Sequence, residues 1–259
     1  MIDATKRQTA LFALSLLDLT DLTETCTDEA VERLCDAAQT RFGTAAAICI
    51  WPRFVAAARA RLGPSSPVRI ATVVNFPHGT AAVADVVAET ERAIAEGADE
   101  IDLVIPYRAL IAGDEQAVTE MVAAVRAAAP APVRLKAILE TGEIRDRALI
   151  RRASLLSIGA GADFIKTSTG KAAVHATLEA ADIMLTAIRE TGRNVGFKPA
   201  GGVDTVADAR LYLALAATIH GPDWVMPSTF RFGASGLLAD ILTLAEGRDA
   251  GAVAASHGP

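Results

Sequence analysis

Two short apolar runs in this sequence end in a lysine and then in glycine-rich chain: Asp163-Phe164-Ile165-Lys166-Thr167-Ser168-Thr169-Gly170-Lys171 and Val195-Gly196-Phe197-Lys198-Pro199-Ala200-Gly201-Gly202. Each reads as a buried β-strand with an amine at its end. An amine in apolar surroundings loses hydration, which disfavours the ammonium and leaves a neutral nitrogen able to attack a carbonyl. A strand-terminal lysine also has a plain reading, a buried stem whose head snorkels to water. Repetition of the pattern one strand-helix unit later favours chemistry. In a parallel α/β barrel neighbouring strands end on the same face, so the two amines would share a cavity and lower each other's proton affinity. A third ionisable group sits in Asp99-Glu100-Ile101-Asp102-Leu103-Val104-Ile105-Pro106. Alternation puts Asp102, Val104 and Pro106 on one face, so Asp102 faces the barrel interior or the helix layer and needs a partner there. Lys136 and Glu140 share a face of the next strand and could pair with Asp102 and the later lysines.

The elements that must position these residues follow in order. Leu11 to Leu19 is expected as strand one, running into Asp18-Leu19-Thr20, and Thr27 caps a helix over Asp28 to Ala38. Ala45 to Pro52 is a buried strand closed by proline, with a helix over Phe54 to Leu62. Val68 to Val74 is the third strand and ends in the turn Asn75-Phe76-Pro77-His78-Gly79, where His78 reads as a turn residue. Glu89 to Glu96 is helical and stops at Gly97. Asp99 to Pro106 and Val133 to Glu140 are strands four and five. Strands six and seven carry Lys166 and Lys198, separated by a helix over Leu178 to Glu190. A helix over Val206 to Ala217 leads to a last strand centred on Phe230 to Gly233, and Ser235 to Leu238 opens the final helix. This rhythm predicts one (β/α)8 TIM barrel over residues 1–245 with an extra N-terminal segment, and a Gly-, Ala- and Ser-rich tail over 246–259 that is expected to be disordered. Gly201-Gly202-Val203 and Gly233-Ala234-Ser235 then fall in the loops after strands seven and eight, where such barrels hold phosphate, with Gly170 and Lys171 as a third edge.

Composition narrows the function. A chain of 259 residues suits one such barrel, and a net charge of −6 with a pI near 5.3 offers no broad basic surface, which argues against nucleic acid as a partner. Cys26, Cys35 and Cys49 are odd in number and unevenly spaced, so neither a disulfide framework nor a zinc site is expected, and a reducing, cytoplasmic setting is. Met1 to Thr9 lacks the form of a signal peptide, and no stretch is long and uncharged enough to span a membrane. His78, His175, His220 and His257 show no paired ligand spacing, so no metal is expected.

Several of these motifs, in matching order and spacing from Asp18 to about Leu238, resemble the deoxyribose-phosphate aldolase family: Asp163 to Lys171, Gly196 to Gly202, Asn75 to Gly79, Glu140-Thr141-Gly142-Glu143 and Arg231-Phe232-Gly233-Ala234-Ser235. The resemblance implies a class I aldolase that reversibly cleaves 2-deoxy-D-ribose 5-phosphate to acetaldehyde and D-glyceraldehyde 3-phosphate, with no cofactor. It implies Lys166 as the Schiff-base nucleophile, Lys198 as the neighbour that keeps it neutral, and Asp102 as the carboxylate that relays protons with a water. It places Asp18 at the active-site mouth. Thr167, Gly170, Lys171, Gly201, Gly202, Gly233 and Ser235 are the remaining expected substrate contacts. Cys49 joins them if its thiol faces the pocket, where unsaturated aldehydes could attack it; its plain reading is a small buried hydrophobe. A homodimer is the expected assembly, with a small phosphosugar and aldehydes as the only other partners.

This sequence also departs from the family pattern. Asp204 and Gly236 stand where the family usually carries a basic residue and a second serine, so weaker reliance on the substrate phosphate is expected. No tyrosine follows Tyr212, whereas the family often ends in a tyrosine that reaches the active site; proton transfer then falls to water and barrel residues. Two rivals remain. A pyridoxal-phosphate enzyme would use the same lysine imine and phosphate cup, and a cofactor absorbance band separates it. A non-catalytic barrel that senses a phosphosugar would need the cup but no reactive amine.

Overall fold

The computed structural model describes residues 4–248. Eight parallel strands form the sheet: β1 (Leu17–Asp21), β2 (Ala47–Ile50), β3 (Arg69–Val74), β4 (Glu100–Val104), β5 (Arg134–Ile138), β6 (Phe164–Lys166), β7 (Gly196–Lys198) and β8 (Phe232–Ala234). Consecutive strands pair, and β8 pairs with β1 through Leu17↔Phe232, Asp18↔Gly233 and Leu19↔Ala234. The remaining seam, between β7 and β8, closes through the bridges Phe197↔Phe230 and Ala200↔Gly233. The result is a (β/α)8 barrel, the fold expected from the strand-helix rhythm.

One expectation is corrected. Ala4–Ser15 is a helix, and strand one begins only at Leu17. Ala10, Ala13, Leu14 and Leu17 are fully buried, a spacing of three and four that a helix and the first residues of a strand can share. A short apolar run does not distinguish the two, and here the preceding turn from Ala4 decides for helix. This N-terminal helix packs on the last two long helices, Val206–His220 and Leu237–Ala245. The expected tail lies outside the described residues from 249 onward; Glu246 closes the last helix and takes a salt bridge from Arg41.

The core divides by face. Outward-pointing strand residues such as Ile48, Ile70, Ile101, Leu135 and Ile165 pack under the helices in one large apolar cluster. Inside the barrel, Ala47, Cys49, Ala71 and Val73 of β2 and β3 form a second, smaller apolar cluster with Leu22 over them. Small side chains on that half leave room for long charged ones on the other half, which β4 to β7 supply.

Candidate active site

Strand register delivers the ionisable side chains to one another. Asp102 on β4 is the register partner of Lys136 on β5, and Lys166 on β6 is the partner of Lys198 on β7. Adjacent strands lie about 5 Å apart and register partners point the same way, so the four side chains must meet inside the barrel. Asp102 is fully buried and saturated: its Oδ1 accepts from Lys136 Nζ at 2.7 Å, and its Oδ2 accepts from Lys166 Nζ and Lys198 Nζ, each at 2.9 Å. Asp18 on β1 accepts from Lys198 at 2.5 Å and from Arg231 at 2.6 Å. Glu100 bridges Lys136 at 2.5 Å and Arg231 at 2.9 Å. The chain of ion pairs thus runs along the barrel from Arg231, below β8, to Lys166 at the upper end of β6.

Burial alone would neutralise these groups, and mutual charge prevents it. Desolvation works to raise the carboxyl pKa of Asp102, but Lys136, Lys166 and Lys198 outweigh it and hold the group well below the usual 3.8. Asp18 is lowered in the same way by Lys198, Arg231 and Lys136 against its own burial. Burial works to lower the Lys198 pKa, and the Asp102 and Asp18 carboxylates override it, so the amine stays charged well above the ordinary 10.5. The two facing lysines, expected to lower each other's proton affinity, share the Asp102 carboxylate, and for Lys198 it is that carboxylate and Asp18 that decide the outcome. Asp18, Glu100 and Asp102 face Lys136, Lys166, Lys198 and Arg231, three negative groups against four positive ones.

Above this network lies a cavity of about 620 Å³ at the carboxyl ends of the strands. Lys166 reaches it; Lys136 and Lys198 do not. Of the expected contacts, Gly170, Lys171, Gly201, Gly202, Gly233 and Ser235 line it, and Asp18, Cys49, Asp102, Thr167 and Lys198 lie beneath. Cys49 is fully buried with the small apolar residues of β2 and β3, and burial pushes its thiol pKa up, which matches its plain reading. Thr167 ties two strand ends together by accepting the Ala200 N–H at 3.0 Å, while the Ser168 hydroxyl donates to the Ala200 carbonyl at 3.1 Å.

The cup itself is built by glycines. Gly201 and Gly202 have φ of 78° and 73°, a left-handed pair that turns the chain after β7. The Gly201 N–H donates to the Gly233 carbonyl at 3.2 Å, so this glycine fastens the loop after β7 to β8 and does not offer its N–H to a ligand. Lys171 reaches across the mouth and donates to the Leu22 carbonyl at 2.7 Å. Asp204 also lines the cavity, and its Oδ1 would lie 3.0 Å from a Cβ placed on Gly236. The carboxylate therefore crowds position 236, and a serine there would have to push it aside by a few tenths of an ångström.

Sequence reasoning missed parts of this site. Glu100 and Arg231 stayed unassigned, although Glu100 shares the alternation that singled out Asp102, and Arg231 stands in a motif already noted. His175 lines the same cavity and packs against Gly201. Glu140, expected with Lys136 to pair with Asp102 and the later lysines, instead accepts from the Thr169 hydroxyl and N–H. Its φ of 58° turns it out of the strand alternation on which the expectation rested.

A parallel barrel in which one amine of a buried ion-pair network lines the carboxyl-end cavity fits the class of lysine-dependent carbonyl enzymes. Comparison with known proteins places it within that class. The model of the DeoC/LacD family aldolases matches residues 6–240, and the chain belongs to that family. It is 64% identical over 251 residues to a deoxyribose-phosphate aldolase of Agrobacterium fabrum strain C58, covering 97% of each chain. A crystal structure from Toxoplasma gondii ME49, described as a candidate deoxyribose-phosphate aldolase, superposes with a TM-score of 0.87 at 28% identity over 96% of this chain and 98% of the other. The deoxyribose phosphate aldolase of Aeropyrum pernix, described as tetrameric, shares the fold with a TM-score of 0.72 at 21% identity, covering 94% of this chain and 98% of the other.

Proposed function

We propose that this chain is the aldolase that reversibly cleaves 2-deoxy-D-ribose 5-phosphate into acetaldehyde and D-glyceraldehyde 3-phosphate. The observation that carries the reading is Lys166, which alone of the network's amines faces the upper cavity while its Nζ stays 2.9 Å from Asp102. In the cleavage direction the neutral Lys166 amine attacks the aldehyde carbon of the open-chain sugar, and loss of water gives a protonated imine. The C3 hydroxyl then loses its proton, the C2–C3 bond breaks, and its electron pair moves into the iminium to form an enamine. Protonation of the enamine carbon and hydrolysis release acetaldehyde and restore Lys166.

The other groups divide the work by position. Lys198, held charged by Asp18 and Asp102, stays out of the covalent chemistry as the cationic neighbour of Lys166. Asp102 holds the Lys166 Nζ at 2.9 Å and, with an ordered water, relays protons at the reacting centre. Gly202, Ser235 and Lys171 hold the substrate phosphate, and Asp204 weakens that hold; the Gly233 N–H, like that of Gly201, is spent within the barrel, donating to the Pro199 carbonyl at 2.9 Å. Buried free cysteines and the absence, among the described residues, of a helix able to cross a membrane support a cytoplasmic setting.

Borohydride reduction in the presence of acetaldehyde, followed by peptide mass spectrometry, tests the mechanism. An ethyl group on Lys166, absent without acetaldehyde, is expected. Folded protein modified on neither Lys166 nor Lys198 would leave a phosphosugar-binding barrel as the better reading. The assembly is read as a homodimer, which light scattering reports as twice the chain mass of 26.9 kDa; four times that mass would match the assembly described for the Aeropyrum pernix relative.

A further inference from the structure

The opposite end of the barrel holds a second concave surface, a cavity of about 550 Å³ lined by Arg59, Arg69, Arg134, Arg231, Asp99 and Glu100 among others. Arg69, Glu100 and Arg134 are the first residues of β3, β4 and β5, so they mark the amino ends of three neighbouring strands. Lys166 stands at the carboxyl end of β6, a barrel length away. A neighbouring cavity of about 460 Å³ shares Arg69, Arg134 and Arg231, which makes these guanidinium groups the common wall of the two.

The charges here do not balance. Both carboxylates are already engaged: Asp99 accepts from Arg59 at 2.6 Å and from the Ile70 N–H at 2.8 Å, and Glu100 is committed to Lys136 and Arg231. Arg69 reaches Asp99 only at 3.6 Å and its side chain is 59% exposed. Arg134 has no carboxylate partner among the described residues; it donates to the Ser228 carbonyl at 3.3 Å and lies 5.8 Å from the Phe164 ring centroid. Arg231 is held rigidly by Asp18 and Glu100 at the back of the cavity. The backbones of β3 and β5 lie about 10 Å apart, two strand spacings, so the Arg69 and Arg134 side chains can converge on one anion between them. Guanidinium groups match the paired oxygens of phosphate and carboxylate geometrically.

We propose that this amino-end cavity is a binding site for a small oxyanion with the charge of a phosphate group, held by Arg69 and Arg134 in front of Arg231. The site is separate from the phosphate cup at the mouth and takes no part in the carbon–carbon chemistry. Its ligand is either free phosphate or the phosphate of a small ester, and the cavity has room for the ester's carbon skeleton.

The test compares the full chain with the double variant Arg69→Gln, Arg134→Gln by calorimetric titration, using inorganic phosphate and glycerol 3-phosphate as separate probes. Any binding at the mouth is common to both proteins, so the signal is the difference between them. The wild-type chain is expected to take up one more equivalent than the double variant, or to bind that equivalent at least about tenfold more tightly, while kcat/KM for aldol cleavage stays equal in the two. A tighter titration with glycerol 3-phosphate identifies the ester as the ligand, and equal or weaker binding identifies free phosphate. Identical isotherms for the two proteins with both probes would overturn the proposal, as would wild-type protein that binds neither probe.

Discussion

At the scale of single residues, what matters is which group each charge touches. Lys166 and Lys198 are register partners and bond to the same carboxylate oxygen, yet only Lys166 opens to the cavity. Lys198 is locked by a second carboxylate, Asp18, and cannot be the nucleophile while that pair holds. Asp204 is the residue whose type most clearly opposes its surroundings, a carboxylate on the rim of a glycine cup suited to an anion. Repulsion there should cost about 1–2 kcal/mol of phosphate affinity, on the scale of a charge-assisted hydrogen bond. Asp204→Arg is therefore expected to lower KM for the phosphorylated substrate about tenfold with little change in kcat, measured by steady-state kinetics. An unchanged KM would remove Asp204 from the account of specificity.

At the scale of elements, the strands position the amines only because of what lies opposite them. Gly196 begins β7 and pairs with Phe164, the first residue of β6. A Cβ on Gly196 would stand 2.3 Å from the Phe164 ring, which fills the barrel interior two residues below Lys166. Gly196→Ala must push that ring, and with it β6. The expected loss is about 1–3 kcal/mol, as for other overpacked cores, read from the urea unfolding midpoint, together with a lower kcat from a displaced Lys166. A variant with wild-type stability and kcat would show that β6 tolerates the shift. The loop after β6 is fitted as closely: a Cβ on Gly142 would lie 2.1 Å from the Val174 carbonyl oxygen, so this glycine lets residues 170–177 close over the cavity edge.

At the scale of the whole molecule, the barrel interior is an ionic core and its stability follows pH accordingly. Asp18, Glu100 and Asp102 all have folded pKa values below their unfolded ones, the latter near 3.8 for aspartate and 4.5 for glutamate. Each therefore contributes stability in full above its unfolded value and loses it as pH falls through the folded value. Glu140, raised by burial against its bonds to Thr169, acts with the opposite sign, adding stability below 4.5 and losing it as pH rises through its folded value. Three groups outweigh one. The urea midpoint is expected to hold from about pH 7 to pH 5 and to fall steadily below about pH 4.5. A midpoint that is level between pH 5 and pH 3 would contradict the ionic core. Lys136 and Lys198, both raised, keep their contribution up to 10.5 and lose it only as pH climbs through their folded values.

The sequence by itself determined the barrel, the two lysine-ended strands and the interior-facing aspartate, because strand alternation and glycine-bounded apolar runs are local patterns that survive without a structure. It also marked the glycine loops after the seventh and eighth strands. Tertiary structure alone decided the protonation of Lys198, since that depends on Asp18 from a strand 180 residues away in sequence. It decided that Ala4–Ser15 is a helix and that Glu140 leaves the charge cluster, one through packing on the last helices and the other through a left-handed turn. The arginines at the amino end were invisible for the same reason. Arg69, Arg134 and Arg231 are scattered along the chain, and only closure of the barrel puts them around one cavity.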